Sequence, residues 1–345
     1  MKEKGLHWWK SPYKFSEKLD FLKYRIFSPK ATSNLVLAKD VQVIGREQNL
    51  LSPMGDEFSI IFAGDLMPFG TDKPYHSFEL DQFFRSGDYV VFNLEGIATN
   101  RKRFLALAHT YGSLVEYLHG QFENKIVLNV ANNHSSDFGY RAFEKQNEML
   151  REEGFLVVGD NDSPLKIEEK RVNLFAGTFL SNQHPIIDVL TMNNPMRIGS
   201  IAFENTYNIF MPHWGYEMHL YPTQEQMDMG QRLVPDIYDS LIGHHPHTPH
   251  PIYLLKGNNI LATSLGNYCY LNRNPNHWFG SLLKLSFTNN DGNSKPILSK
   301  VEVRYIKQHT VGDRIFIQEV EAHNFSESRA SINFCDRGYL RDILK

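Results

Sequence analysis

Residues 58–65 read FSIIFAGD. An aromatic and β-branched run closed by Gly-Asp has the pattern of a buried strand that stops at a polar turn. The design returns at 88–95, DYVVFNLE, and at 125–134, KIVLNVANNH, each time ending on side chains able to hold a ligand. A helical pattern over 138–153, FGYRAFEKQNEMLREE, stops at Gly154 and is followed by a further apolar run, FLVVG. Strands alternating with helices predict an α/β sheet with crossover connections.

The second half adds strand patterns near 170–179, 206–212, 240–243, 251–256, 259–264, 281–288 and 297–306, and a helix from Thr223 to about Tyr238 with Pro235 as a kink. Asn258-Asn259 and the stretch 289–292 read as hairpin turns, so this half is expected to have more antiparallel character. No linker divides the chain between 58 and 307. The expected organisation is an N-terminal extension over 1–57, one domain over 58–307 and a C-terminal extension over 308–345.

A chain of 345 residues with 41% apolar content can bury a large core. Its net charge of -3 and pI near 6.6 give no global attraction to phosphate backbones, so nucleic acid is not expected as a partner. Cys269 and Cys335 stand far apart with no CxxC, which excludes a disulfide framework and a thiolate zinc site. No apolar run is long enough to span a bilayer, and charges interrupt the first thirty residues where a signal peptide needs an apolar stretch. The expected location is therefore the cytoplasm. Residues 1–50 mix Trp8, Trp9, Tyr13 and Phe15 with Lys10, Lys14 and Lys18. They are read as packing on their own domain, with peripheral contact to the inner membrane or to a synthase complex as the alternative.

Polar residues gather where these strands end. They are Asp65, Asn93, Glu95, Asn133, His134, His213, and the cluster GHHPHTPH at 243–250. Ligands in open α/β sheets collect at such carboxyl ends. A set of carboxylate, carboxamide and imidazole without thiolate suits Mn, Fe, Zn or Mg. An affinity tag would be terminal, and this histidine cluster is internal. With Pro246 stiffening an extended backbone, His245 and His247 would project to one side. Each residue also has a structural use. Asp65, Asn132 and Asn133 can close turns, and Asp137 is read as the N-cap of the helix near Phe138. His250 is expected to be solvent-exposed, Ser264 to sit in a structural turn, and Cys269 to be a buried small residue.

The ordered motifs GD at 64–65, NLEG at 93–96, ANNHSSDFG at 131–139, HWGYE at 213–217, GHHPH at 243–247 and SLGN at 264–267 resemble the bacterial capsule synthesis protein CapA family, the poly-gamma-glutamate biosynthesis proteins, over about residues 58–270. That family is similar to the calcineurin-like metallophosphoesterases. The resemblance implies a four-layer α/β/β/α sandwich carrying two divalent metals. It places Asp65 and His247 on one metal, Asn133, His213 and His245 on the other, Glu95 as the bridging carboxylate with Asn93 as a competing ligand, and His134 as the acid for the leaving oxygen. Glu217 would face substrate or orient His213, Asn267 would stand beside the pocket, and His244 would point away from the metals. Two departures are visible: Leu66 and Met67 follow Asp65 where the larger superfamily has Asp-x-His, and Glu95 replaces an aspartate.

The function implied is a metal-dependent hydrolase, most simply of phosphoesters, working on a capsule- or envelope-related polymer or a small phosphorylated precursor. The alternatives are a non-catalytic assembly component of a polymer synthase, and amide hydrolysis or transfer on poly-gamma-glutamate.

Overall fold

The run that opens the domain lies inside one strand, Asp56–Leu66, whose residues from Phe58 onward are all buried. In this computed structural model, Phe58, Ile60 and Phe62 enter one core while Ile61 and Ala63 enter another. Alternation along a strand sends neighbours to opposite faces, so an unbroken apolar run marks a strand covered on both sides. The structure describes residue 19 and residues 41–52, 55–70, 73–103, 106–191, 205–270, 278–289, 294–311 and 314–320.

In chain order the elements begin with β1 (Gln42–Ile44), β2 (Glu47–Asn49), β3 (Asp56–Leu66), β4 (Tyr75–His76), α1 (Phe78–Arg85), β5 (Tyr89–Leu94), β6 (Ile97–Ala98) and β7 (Ala108–His109). There follow α2 (Tyr111–Gln121), β8 (Lys125–Asn129), α3 (Tyr140–Glu152), β9 (Leu156–Val158), β10 (Leu165–Ile167), β11 (Val172–Thr178) and β12 (Tyr207–His213). The remainder is α4 (Gln224–Leu233), β13 (Ser240–Ile242), β14 (Ile252–Leu255), β15 (Asn259–Ala262), β16 (Asn267–Cys269), β17 (Phe279–Asn289), β18 (Ile297–Val311) and β19 (Arg314–Glu319).

Among the described residues these strands form two large sheets. One has the order β1-β14-β15-β13-β12-β11-β10; the other runs β4-β19-β18-β17-β3-β5-β8-β9, with β16 on β3 and β2 on β18. Phe62, Val91 and Leu283 from one sheet share a core with Leu174, Ile209 and Ile260 from the other. Outside the second sheet, Val90, Phe92 and Leu128 pack on Leu80, Leu114, Phe143 and Leu150 of helices α1, α2 and α3. Outside the first, Phe175, Phe210 and Leu241 pack on Met227 and Leu233 of α4. Helices, sheet, sheet and helix therefore stack as the α/β/β/α sandwich that the motifs imply.

Three expectations are corrected. The sheets continue past both boundaries of the 58–307 domain: β1 pairs with β14, β2 with β18, and β19 with β18. Edge strands as short and polar as EQN carry too little apolar pattern to be read. Helix α3 is capped by Gly139 at φ +80 rather than by Asp137, whose carboxylate is engaged elsewhere. Helix α4 stops at Leu233, before Tyr238, and starts at a capping box in which Thr223 and Gln226 satisfy each other's backbone. Cys335 and nearly all of residues 1–50 up to β1 lie outside the described residues. No described helix is long and apolar enough to cross a membrane.

Candidate metal centre

Parallel pairing aligns the ends of the strands. In β3 and β5, Asp65 is the register partner of Asn93, and Asn93 is in turn the partner of Asn129 in β8. Strand β12 delivers His213 from the opposite sheet, where it bridges to His244. The carboxyl ends of both parallel sets thus meet at one place. The close approach behind it depends on Gly64, because a Cβ there would sit 2.0 Å from the Gly266 carbonyl oxygen. With only hydrogen in that space, Asp65 N donates to Gly266 O at 2.8 Å and ties β3 to the SLGN turn.

Asn93 Nδ2 donates to Asp65 Oδ1 at 2.8 Å and stands 3.3 Å from His213 Nδ1. His213 Nε2 lies 2.9 Å from Asn133 Oδ1 and 3.1 Å from His245 Nδ1. His247 Nδ1 is 3.0 Å from Asn267 Oδ1 and 3.2 Å from Asp65 Oδ2, while its Nε2 is 3.7 Å from Glu95 Oε1. His134 Nε2 stands 3.9 Å from the same Glu95 oxygen. Every candidate ligand is therefore within one cluster, and Asp65, Glu95, His213 and His245 are fully buried. Glu217 is half-buried and close enough for its charge to bear on His134, His247 and Glu95.

Two triads have mutually close ligand atoms: Glu95 with His245 and His247, and Asp65 with Glu95 and His213, each within 4.8 Å. Glu95 is common to both, as a bridging carboxylate requires. The groupings cut across the expected partition, since His213 falls with Asp65 and His245 with His247. Asn133 reaches the centre through its contact with His213.

The electrostatics show what the protein leaves uncompensated. Burial pushes the Glu95 carboxyl up to about 8, because its neighbouring histidines offset only part of the lost hydration. Neither of its oxygens has a hydrogen-bond partner, and the same is true of Asn93 Oδ1. A buried carboxylate without donors is costly unless a cation faces it. Burial also opposes ionisation of Asp65, yet hydrogen bonds and charge from His244 and His247 hold it well below the usual carboxylate range. Burial drives His213 and His245 well below ordinary imidazoles, leaving them neutral and able to ligate. For His247 burial is outweighed by Glu95 and Asp65, which raise it well above. Orphaned acceptors beside the two neutral imidazoles His213 and His245 fit divalent cations such as Mn, Fe or Zn, which would also displace the proton that Glu95 and Asp65 hold on His247; Asp65, Asn93, Glu95, Asn133, His213, His245 and His247 would form the donor set.

His134 differs from the others. It is 15% exposed, at the mouth of the cluster, and its Nδ1 lies 2.7 Å from Asp137 Oδ2. Burial would lower it, but the Asp137 hydrogen bond and the Glu95 and Glu217 charges outweigh that and raise it. Nδ1–H is thereby committed to Asp137, and Nε2 faces the cluster.

Several local readings change. His244 does not point away: its Nδ1 lies 3.3 Å from Asp65 Oδ1. The residue continues the β12–β13 pairing, donating from its N–H to Pro212 O and accepting from Trp214 N, which keeps the ring inside the sandwich. His250 is buried rather than exposed, with Nε2 donating to His219 O and Nδ1 accepting from Thr263 Oγ1. The 245–247 backbone is not extended. His245 and His247 both have positive φ, +100 and +58, so a turn rather than strand alternation aims the two rings. Ser264 is a turn residue as expected, donating to Thr248 O and accepting from Gly266 N. Asn132 also forms a turn, its Oδ1 accepting from His134 N. Cys269 is a buried small residue.

Two participants carried no legible signal. Asn182 accepts from Asn133 Nδ2 and donates its N–H to Asn133 O, fixing that amide from a loop far along the chain. His109 donates from Nε2 to the Glu95 carbonyl at 3.0 Å. Asp137 had one: a carboxylate three residues after His134.

The chain is similar to the PGA biosynthesis protein CapA of Bacillus subtilis (strain 168), with 26% identity over 250 residues covering 62% of this chain and 64% of that protein. It is also similar to the capsule biosynthesis protein CapA of Bacillus anthracis, with 25% identity over 166 residues covering 42% and 40%. The chain thus spans less than two thirds of the length of either relative. Among solved structures it is similar to the calcineurin-like phosphoesterase YfkN from Bacillus subtilis, at a TM-score of 0.38 and 11% identity, covering 84% of this chain and 99% of that one. Residues 48–185 and 193–270, which contain every member of the cluster, match the family described as bacterial capsule synthesis protein PGA_cap, and the chain belongs to that family.

Proposed function

We propose that the chain is a metal-dependent hydrolase, most simply of phosphoesters, acting on a capsule- or envelope-related polymer or its phosphorylated precursor. The observation that carries this reading is Glu95: a fully buried carboxylate with two unpartnered oxygens, shared by two triads of potential ligands. When bound there, divalent cations supply positive charge to a phosphoryl group and a nucleophile at neutral pH. The chain's own residues supply the rest. Asp137 holds Nδ1–H of His134, so the proton at Nε2 is the one available to a leaving oxygen at the mouth. Asn267 stands at His247 Nδ1 and orients that ring, leaving Nε2 toward Glu95. Asn182 fixes the Asn133 amide with Oδ1 inward. Burial of the donors excludes bulk water and strengthens every charge interaction at the reacting group.

The test is the metal content of protein purified without a histidine tag, followed by turnover of phosphomonoesters and phosphodiesters with added Mn. About one or two transition-metal equivalents are expected. His247→Ala should lower that content, whereas His134→Ala should keep the metal and lose on the order of 100-fold or more in turnover. Folded wild-type protein that binds no metal would sink the proposal. Metal without turnover on any ester would favour the non-catalytic assembly reading.

A further inference from the structure

Buried imidazoles that serve the fold alone have their nitrogens engaged. His76 lies between Asp81 and the phenol of Tyr268, and His250 bonds to Thr263 and to the His219 carbonyl. His244 is as deeply buried, yet neither of its ring nitrogens has a well-formed hydrogen bond. An unpartnered buried nitrogen is destabilising, so an imidazole kept in that state points to a partner of another kind.

The backbone aims this ring. His244 is the cross-strand partner of His213, and partners in a ladder present their side chains on the same face, so the two rings turn to the same side. The pairing is fixed from both directions: His244 N donates to Pro212 O at 2.9 Å, and Trp214 N donates to His244 O at 3.1 Å. Gly243, just before it, is wedged in place, since a Cβ there would lie 2.3 Å from Thr263 O and 2.5 Å from Trp214 Nε1.

The spacing at Asp65 is that of two donors to one cation. His244 Nδ1 stands 3.3 Å from Asp65 Oδ1, past the usual span of an N–H···O bond. Two donors each about 2.1 Å from a shared cation are about 3.0 Å apart at a right angle and about 3.4 Å apart at the tetrahedral angle. The same carboxylate oxygen accepts from Asn93 Nδ2, and Asn93 Oδ1 is itself without a partner. An orphaned imidazole and the residue bearing an orphaned amide oxygen therefore flank one oxygen of Asp65. Leu66 and Met67 follow Asp65, so the end of β3 brings no imidazole of its own. His244 stands outside both triads of mutually close ligand atoms, which confines its part to the Asp65 side of the centre.

We propose that His244 is a ligand of the metal centre, its Nδ1 joining Asp65 on one cation. The proposal rests on the metal centre of the hydrolase reading and adds an imidazole to its donor set. The added nitrogen shifts that position toward Fe, Co or Zn and away from Mg. A ring that only donated a proton to Asp65 would instead be a positioning residue, and the test separates the two.

The full chain, labelled with 15N-histidine and purified without a tag, is freed of metal and reloaded with Co(II). Contact-shifted imidazole signals in its NMR spectrum then report which rings are bonded to the cation. Wild type is expected to show His213, His244, His245 and His247 among the bonded rings. His244→Asn keeps an amide N–H where Nδ1 stands but has no imidazole. It should lose one of these signals and bind one Co(II) at least about tenfold more weakly, with the metal-free circular dichroism unchanged. His250→Gln, which alters a buried histidine of the same cluster, should change neither. A His244 ring with ordinary shifts in Co-loaded wild type overturns the proposal, and that measurement stands even where the variant does not fold. Wild-type Co(II) affinity in His244→Asn also overturns it, and makes His244 a donor to Asp65. Co(II) bound without His244 removes this ligand alone, whereas folded wild type that takes up no Co(II) removes the centre itself.

Discussion

Removing the charge from Asp137 should cost His134 its proton. The imidazole is raised despite its burial because Asp137 accepts from Nδ1 and because Glu95 and Glu217 are near. A general acid must be protonated, so turnover falls as pH rises through its pKa. Asp137→Asn keeps the shape and weakens the largest stabilising contact, so the alkaline limb of the kcat profile should move to lower pH, by about one unit, with metal content unchanged. An alkaline limb that stays in place in the variant would leave Asp137 a structural residue. This residue shows what one-residue reading can and cannot do. Asp137 stands just before a helix and matches a cap by type and position, and the cap reading is wrong because Gly139 at φ +80 already starts that helix. His134, Asn133, His213 and His245 were legible because they follow apolar runs directly. His244 and His250 were not, because their surroundings come from β12, Thr263 and the His219 carbonyl, none of which is marked in the local sequence.

The turn at 243–247 bears its own cost. His245 at φ +100 and His247 at φ +58 occupy backbone conformations that side chains with a Cβ rarely adopt. Such positions store on the order of 1–3 kcal/mol, retained where the surroundings hold them. The strain can be measured by comparing two variants that both lack the imidazole. Glycine ordinarily destabilises relative to alanine, since it gives the unfolded chain more freedom. At φ +100 the order should invert, with His245→Gly more stable than His245→Ala by about 1 kcal/mol in denaturant unfolding of the metal-free protein. Alanine equal to or better than glycine would show that the turn is unstrained. At the level of elements β3, β5, β11 and β12 were read within a residue or two, because they are covered on both faces and so nearly continuously apolar, whereas β8 ends at Asn129, well before the end of the 125–134 run that suggested it. The conformation of the histidine turn was not read. Pro246 suggests an extended backbone, whereas His245 N–H is turned toward Asp65 Oδ2 and the Pro246 carbonyl accepts from Met218 N, contacts with distant residues that no local pattern marks.

Across the molecule, the sandwich was legible from ordered motifs and its extent was not: β1 and β2 are three-residue strands with little apolar pattern, and β19 lies beyond the last of the motifs. The histidines of these layers give the whole fold a common weakness in acid. His76 joins β4 to the helical side, where burial lowers it to about 4 against the pull of Asp81. Burial lowers His109, beneath Glu95, to about 4, and His250, behind the first sheet, to about 3. Each has a folded pKa below its unfolded value near 6.5, so as pH falls the unfolded chain takes up protons that the folded chain refuses. Their full contribution is therefore present above pH 6.5 and is lost as pH falls from there toward 4. When fully linked, each group costs about 1.4 kcal/mol per pH unit, and three together about 4, a large share of an ordinary domain's stability. In the metal-free protein His213 and His245, driven well below ordinary imidazoles, add to the same fall, while Glu95, raised to about 8, opposes it because the folded chain keeps a proton that the unfolded carboxylate has lost. Asp65, held low by His244 and His247, adds to the loss at still lower pH; His134 and His247, held high, act in the opposite sense as pH rises. The denaturant midpoint of the metal-free protein should thus fall steeply between pH 6.5 and 5. His250→Gln retains a donor toward the His219 carbonyl and cannot titrate, so it should flatten that fall by roughly a quarter, one of five lowered histidines set against the opposing Glu95. A midpoint that is flat over this range, or a slope that His250→Gln leaves unaltered, would mean that these histidines take up protons within the folded structure.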